Sequence, residues 1–369
     1  MGHLFSAPLQ RAQGLARWHA KSPLPGRCPF LPFVFCTMPV LDPTQPGALA
    51  QAADALAAGQ LLGLPTETVY GLAANAEDDA AVRRIFAVKG RPAGHPLIVH
   101  VAGSAQAEHF AQQIPDVARR LMAAFWPGPL TLVLPRRAGV AQAAAGGHAS
   151  IGLRCPAHAV AQSLLVACEE RAVRGLAAPS ANLFGRVSPT QAAHVAAAFP
   201  DLLVLDGGAC PVGIESAIVD CTRSQPVLLR PGTISRDDMQ KALGCRVRHR
   251  DELPPASAAP QAPGTLAAHY APRAKVRLMD GKMLKTALEL LGSEAAFIAV
   301  WSRSPLKSAS SRLLMRRMPA SASQAARELF STLRAFDEAQ VKLIWVETPP
   351  DDMQWEGVRD RLERAAASD

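Results

Sequence analysis

Apolar and polar positions alternate along the chain in short blocks, and the block densest in polar groups runs from Leu61 to Val101. Leu61 to Leu64 is an apolar run closed by Pro65, the mark of a short buried strand, and Thr66, Glu67 and Thr68 follow where that strand leaves its sheet. Asp78 and Asp79 offer helix caps, and Val82, Ile85, Phe86 and Lys89 recur at helical spacing, so a helix closes at Lys89 and delivers Gly90, Arg91 and Pro92 into a loop. Leu97 to Val101 reads as a second strand with His100 as its polar interruption.

Ahead of this block, Pro46 opens a helix with Leu49, Ala52, Ala53 and Leu56 on one face and Gly59 at its stop. After it the pattern predicts helices over 105–112 and 116–125, a turn at Trp126 to Pro129, and a strand over Leu130 to Leu134. Ser150 to Arg154 alternates, which puts Ser150 and Arg154 on one face of a strand. A helix over 158–170 leads to a strand at Leu176 and then to the corner Pro179-Ser180-Ala181-Asn182. Ser188 and Pro189 read as cap and first residue of another helix, and strands are predicted over 202–205, 215–220 and 227–232. Residues 251–273 are Pro- and Ala-rich and read as a linker. Beyond them strands over 275–279, 297–301 and 341–346 alternate with helices over 283–291, 322–336 and 353–366, the order of a small parallel, Rossmann-like α/β domain.

Composition changes this picture little. A chain of 369 residues with 49% hydrophobic and 19% charged positions is that of a globular protein with two cores, and no apolar run reaches membrane-spanning length. The net charge of +8 could point to nucleic acid, but residues 1–41 hold Arg11, Arg17, Lys21 and Arg27 and no acid, so half the excess lies in that leader. The leader reads as a poorly ordered segment, either a transit peptide or sequence upstream of a true start at Met38. Seven cysteines without a CxxC pair argue against a zinc knuckle or disulfide scaffold and fit a reducing cytoplasm.

The chemistry sits at strand and helix ends. Lys89 and Arg91 beside Gly and Pro suit an anion, although a solvated helix C-terminus also welcomes cations. Ser180 and Asn182 can hold phosphate or ribose oxygens, or simply close an ST- or Asx-turn on their own backbone. Arg230 ends an apolar strand before Pro231-Gly232 and reads as a phosphate contact, against a rim salt bridge.

PTETVYGL, then KGRP, HPLIVHV and the PSAN corner together resemble the YrdC-like threonylcarbamoyl-AMP synthase family. The turn at Trp126, the segments ESAIVD and LLRPG, the His269-Tyr270-Ala271-Pro272 end of the linker and the C-terminal GVRDRLERAA extend the resemblance over nearly everything after Met38; Ala217 stands where that family usually has Thr. The resemblance implies an α/β fold, a twisted mixed sheet around a large concave cavity, with a smaller C-terminal Rossmann-like domain. The division it implies is a leader over 1–41, a catalytic domain over 42–250, a linker folded over the active site at 251–273 and a C-terminal domain over 274–369.

It also implies a nucleotidyltransferase that condenses L-threonine, bicarbonate and ATP, with Mg²⁺ on the phosphates, into a product that a downstream transferase places on tRNA. Position by position, Thr68, His100, Arg154 and Ser216 fall at threonine contacts. Arg91, His95, Ser150, Ala178, Ser180, Asn182, Ser188, Arg230 and Tyr270 fall at nucleotide contacts, with Lys89 and Arg91 stabilising phosphate charge. Glu67 either orients the amine or accepts local backbone bonds, the second being favoured, and His100 is equally readable as a satisfied core histidine. Two other classes remain: an RNA-binding module of the same fold without ATP turnover, and a carbamoyl-adenylating enzyme of the hydrogenase-maturation kind, for whose zinc regions the cysteines give no material. An aromatic content of 5% speaks against sequence-specific base stacking.

Overall fold

A computed structural model describes residues 40–253, 262–264 and 268–368. The expected leader, apart from its last two residues, lies outside the described residues, as do 254–261 and 265–267 of the expected linker.

In chain order the elements are β1 (Val40–Leu41), α1 (Ala48–Ala57), β2 (Leu62–Leu64), β3 (Gly71–Asn75), α2 (Asp79–Lys89), β4 (Ile98–His100), α3 (Ser104–Phe110), α4 (Asp116–Phe125), β5 (Leu130–Pro135), β6 (Ser150–Arg154), α5 (Ala159–Glu169) and β7 (Leu176–Ala177). Then follow α6 (Ala192–Ala198), β8 (Leu203–Leu205), β9 (Ala217–Asp220), β10 (Val227–Arg230), α7 (Arg236–Leu243), β11 (Arg248–His249), β12 (Lys275–Met279), α8 (Gly281–Leu291), β13 (Ile298–Ser302), β14 (Leu314–Arg317), α9 (Ala322–Glu338), β15 (Leu343–Glu347) and α10 (Glu356–Ala366).

β1 to β11 form one mixed sheet in the order β1-β8-β2-β3-β7-β4-β6-β5-β9-β10-β11, and β12 to β15 a separate parallel sheet in the order β12-β15-β13-β14. The large sheet is apolar on both faces. Leu72 and Ala74 of β3 face a core shared with α2, α3 and α4, while Ala73 faces α1 and α5. Toward β4, β5, β9 and β10 the second face changes character. Ile98, Val133, Ile218 and Leu229 line it, with Ala262 of the linker packed above them, and the polar side chains of the site stand among these residues.

Local chemistry fixes the ends that matter. Asp78 accepts the N–H groups of Ala80 and Ala81 at the start of α2, and Gly90 at φ +63° ends it, a left-handed conformation that costs glycine nothing. The helix expected from Ser188 begins instead at Ala192 with Gln191 as its cap residue, and the Ser188 hydroxyl, turned to donate to Glu215, is not placed to accept a helix N–H. Five elements gave no readable pattern: β1 and β11 are only two residues long, β3 is Gly-Leu-Ala-Ala-Asn, β14 is an exposed strand, and α7 is a short, mostly polar helix held by a Ser235–Asp238 capping box.

Candidate active site

β4, β6 and β9 assemble the site through the two-residue period of a strand. His100 shares a face with Ile98, Arg154 lies beside it in register His100↔Arg154, and Thr131 of β5 opposes Arg154 on the other side. Arg154 Nη1 donates to Thr68 Oγ1 at 2.8 Å, and its Nη2 lies 2.7 Å from Glu67 Oε1, both side chains about 5% exposed. Glu67 therefore does not close local backbone bonds as expected. Its carboxylate neutralises Arg154, in an ion pair bent away from linear hydrogen-bond geometry. Ser216 exchanges a hydrogen bond with Thr131 at 2.7 Å.

A register shift between Leu228 and Arg230 turns Arg230 inward, where Nε and Nη2 donate to Ser216 O and Nη1 donates to Pro263 O at 2.9 Å. Arg91 is buried, donates once to Pro96 O at 3.1 Å, leaves Nε without a partner, and lies 5.8 Å from the Phe184 ring centre. Burial and the neighbouring Arg230 bring its pKa down to about 10, so it remains a cation at neutral pH.

These groups enclose a space of about 40 Å³ lined by Thr68, Arg91, His100, Arg154, Ala178 and Ser180, with Ser216, Arg230 and Tyr270 completing the predicted members. Five predicted residues stand outside that lining. The Lys89 ammonium runs under the PSAN corner and holds the Ser180 and Asn182 carbonyls at 2.5 Å each; burial and then Arg91 lower its pKa to about 7. Asn182 donates to Leu183 O and Arg186 O. Ser188 binds Glu215, His95 sits edge-on to Phe184, and Ser150 lies at the other end of β6 from Arg154, about 13 Å away at the rise of a strand.

The lining also holds groups that sequence reading passed over: Thr66, Glu215, Gly264 and His269. Phe184, between His95 and His269, extends the aromatic side of the site. His269 could have been found, since it precedes Tyr270 in the linker motif. Glu215 could have been found too, since it opens the ESAIVD segment.

His100 is 3% exposed, and burial, followed by Arg154, pushes its pKa down to about 3. Below pH 6.5 the unfolded chain takes up a proton that folded His100 refuses until about pH 3, so stability is full above that window and falls as pH drops through it, by up to about 1.4 kcal/mol per pH unit. His100→Gln is expected to flatten the acid limb of a urea-midpoint profile between pH 6.5 and 4; a profile of unchanged slope would mean that His100 is protonated in the folded state.

The Sua5_yciO_yrdC family model, described as telomere recombination, matches residues 54–232, and the Sua5_C model, described as the threonylcarbamoyl-AMP synthase C-terminal domain, matches residues 234–367. A threonylcarbamoyl-AMP synthase of Bacillus subtilis is 35% identical over 333 residues, 86% of this chain and 92% of the relative. One of Pyrococcus abyssi is 44% identical over 232 residues, 62% of this chain and 67% of the relative. The crystal structure of Pyrococcus abyssi Sua5 complexed with L-threonine superposes with a TM-score of 0.77 at 36% identity, over 86% of this chain and 94% of that one.

Proposed function

The chain belongs to the threonylcarbamoyl-AMP synthase family, and on that premise we propose that it joins L-threonine, bicarbonate and ATP into threonylcarbamoyl-adenylate and pyrophosphate. The observation that carries this reading is the convergence of three buried cations, Arg91, Arg154 and Arg230, on one space flanked by neutral donors. A reaction among anions needs no protein nucleophile. The threonine amine adds to the bicarbonate carbon, water is lost to leave the carbamate, the carbamate oxygen attacks the α-phosphate, and pyrophosphate leaves; the protein supplies position and positive charge.

In this reading Arg154, held by Glu67, receives the threonine carboxylate with Thr68, Ser216 and neutral His100 around it. Arg91 and Arg230 receive phosphate oxygens, and Ala178, Ser180 and Tyr270 border the nucleotide. Lys89 acts one layer below, fixing the Ser180 corner; Asn182, Ser188, His95 and Ser150 keep indirect or rim roles. The enclosed 40 Å³ is far below the 300 Å³ or more of a usual ligand pocket, so in this reading Pro263 and Gly264 move aside to admit ATP. In this reading the described linker residues Pro263, Gly264, His269 and Tyr270 cover the site, between a catalytic domain over 42–250 and a C-terminal domain over 274–369.

Mg²⁺ fits as cargo of the nucleotide. Among the described residues no three His, Cys, Asp or Glu side chains converge, and Glu215 is engaged by Ser188 and Arg361. The ion would therefore be held by phosphates and water, screening charge that the arginines also face. The five described cysteines are all free thiols, consistent with a cytoplasmic setting, and no helix among the described residues is long and apolar enough to cross a membrane. The product is expected to pass to a transferase that modifies tRNA.

The test is pyrophosphate release from ATP by the protein with bicarbonate and each of L-threonine, L-serine or no amino acid. Release should require both L-threonine and bicarbonate. No release under any condition, with RNA binding retained, would replace this reading with the binding module.

A further inference from the structure

The charge of the chain is concentrated in one place beyond the leader. Residues 303–317 contain Arg303, Lys307, Arg312, Arg316 and Arg317 and no acid, a net of +5; with +4 in residues 1–41, everything else sums to −1. That segment ends in β14, the outer strand of the small sheet, which among the described residues pairs with β13 alone. All four of its residues are exposed, with Leu314 at 40% and Met315 at 41%.

The geometry of this edge is specific. Met318 N–H donates inward to Ser302 O, so by the two-residue period of a ladder the N–H and C=O groups of Met315 and Arg317 face away from the sheet. Side chains alternate as well: Arg316 reaches Glu328 of α9 at 3.2 Å, which puts Leu314 and Arg316 on the α9 face and Met315 and Arg317 on the other. Each face of the edge thus offers one apolar and one cationic side chain, two residues apart.

We propose that β14 is a docking edge for an extended peptide segment that adds to the small sheet as a fifth strand, carrying apolar residues opposite Leu314 and Met315 and acids opposite Arg316 and Arg317. An open edge supplies main-chain hydrogen bonds and its side chains supply selectivity. A second copy of the chain is disfavoured, since pairing β14 with itself would bring arginines together. A polyanion would satisfy the charge but would use neither the outward backbone groups nor the apolar pair.

The experiment uses the full chain and a labelled peptide with the core Val-Val-Glu-Glu, read by fluorescence anisotropy, with Val-Val-Lys-Lys as control. The acidic peptide should bind saturably, and less tightly as salt rises, while the basic one should not. Met315→Pro removes an outward N–H without touching the bonds to β13, the one placement an edge strand tolerates for proline, and should weaken binding about tenfold. Arg317→Glu should do likewise by charge, about tenfold. Unchanged pyrophosphate release in both variants shows that they fold. Equal binding of both peptides, no binding of the acidic one, or indifference to Met315→Pro would overturn the proposal; indifference together with tight binding of a single-stranded oligonucleotide would make the edge a polyanion surface instead.

Discussion

Arg361→Ala is expected to cost about 3–5 kcal/mol of stability, enough to unfold much of the protein in mild denaturant. Arg361 is fully buried on α10, yet its guanidinium is spent on the catalytic half of the molecule. Nε meets Glu215 Oε2 at 3.0 Å, Nη2 donates to Glu215 O, Nη1 donates to Pro231 O at 2.8 Å and to Asp360, and the group lies 5.4 Å from the Tyr270 ring centre. Gly357, one turn earlier, lets α10 approach this closely, since a Cβ there would stand 2.5 Å from Gly232 O. Burial by itself would raise the Glu215 pKa, and Arg361 with Arg230 holds it below the ordinary carboxylate value. Without Arg361 a buried carboxylate loses its main partner. Chemical denaturation should show the loss, and pairing Arg361→Met with Glu215→Gln should cost less than the sum of the single changes, because the second removes the charge the first stranded. A midpoint shift below about 1 kcal/mol in Arg361→Ala would mean that the two halves do not depend on this pair.

Arg91→Ala is expected to lower pyrophosphate release by about 10²–10³-fold with the fold retained, the effect of deleting one preorganised donor to a developing anion. Its single protein acceptor is a backbone carbonyl and its Nε is unmet, so little of the structure relies on it. Lys89→Ala should differ. Its ammonium holds two backbone carbonyls beneath the Ser180 corner, so activity and stability should fall together. Circular dichroism melting beside the turnover assay separates the two variants. Turnover within threefold of the parent in Arg91→Ala would remove it from the anion site.

The elements that sequence reading recovered are those with strong period or punctuation: β6 over 150–154 and α4 over 116–125 appear at their expected bounds, and α2 ends at Lys89 because Gly90 follows it. β3 escaped because Gly, Ala and Asn carry no strand preference, and it forms only because antiparallel β2 and β7 flank it. The helix assigned to Ser188 and Pro189 shows the limit of cap rules: a serine hydroxyl goes to the strongest acceptor within reach, and Glu215 is 27 residues away in sequence.

What the sequence determined by itself was the alternation of strands and helices, the kind of chemistry, and a set of polar residues at element ends, because each is written in neighbours a few positions apart. The resemblance of its motifs supplied the rest of the expectation. Only the tertiary structure decided which of those residues share one space and which stand a layer behind it. Glu67 turning to Arg154, Lys89 turning to the PSAN carbonyls and Arg361 crossing 146 positions to reach Glu215 are choices made by burial, where a charge must find its partner wherever the fold places one.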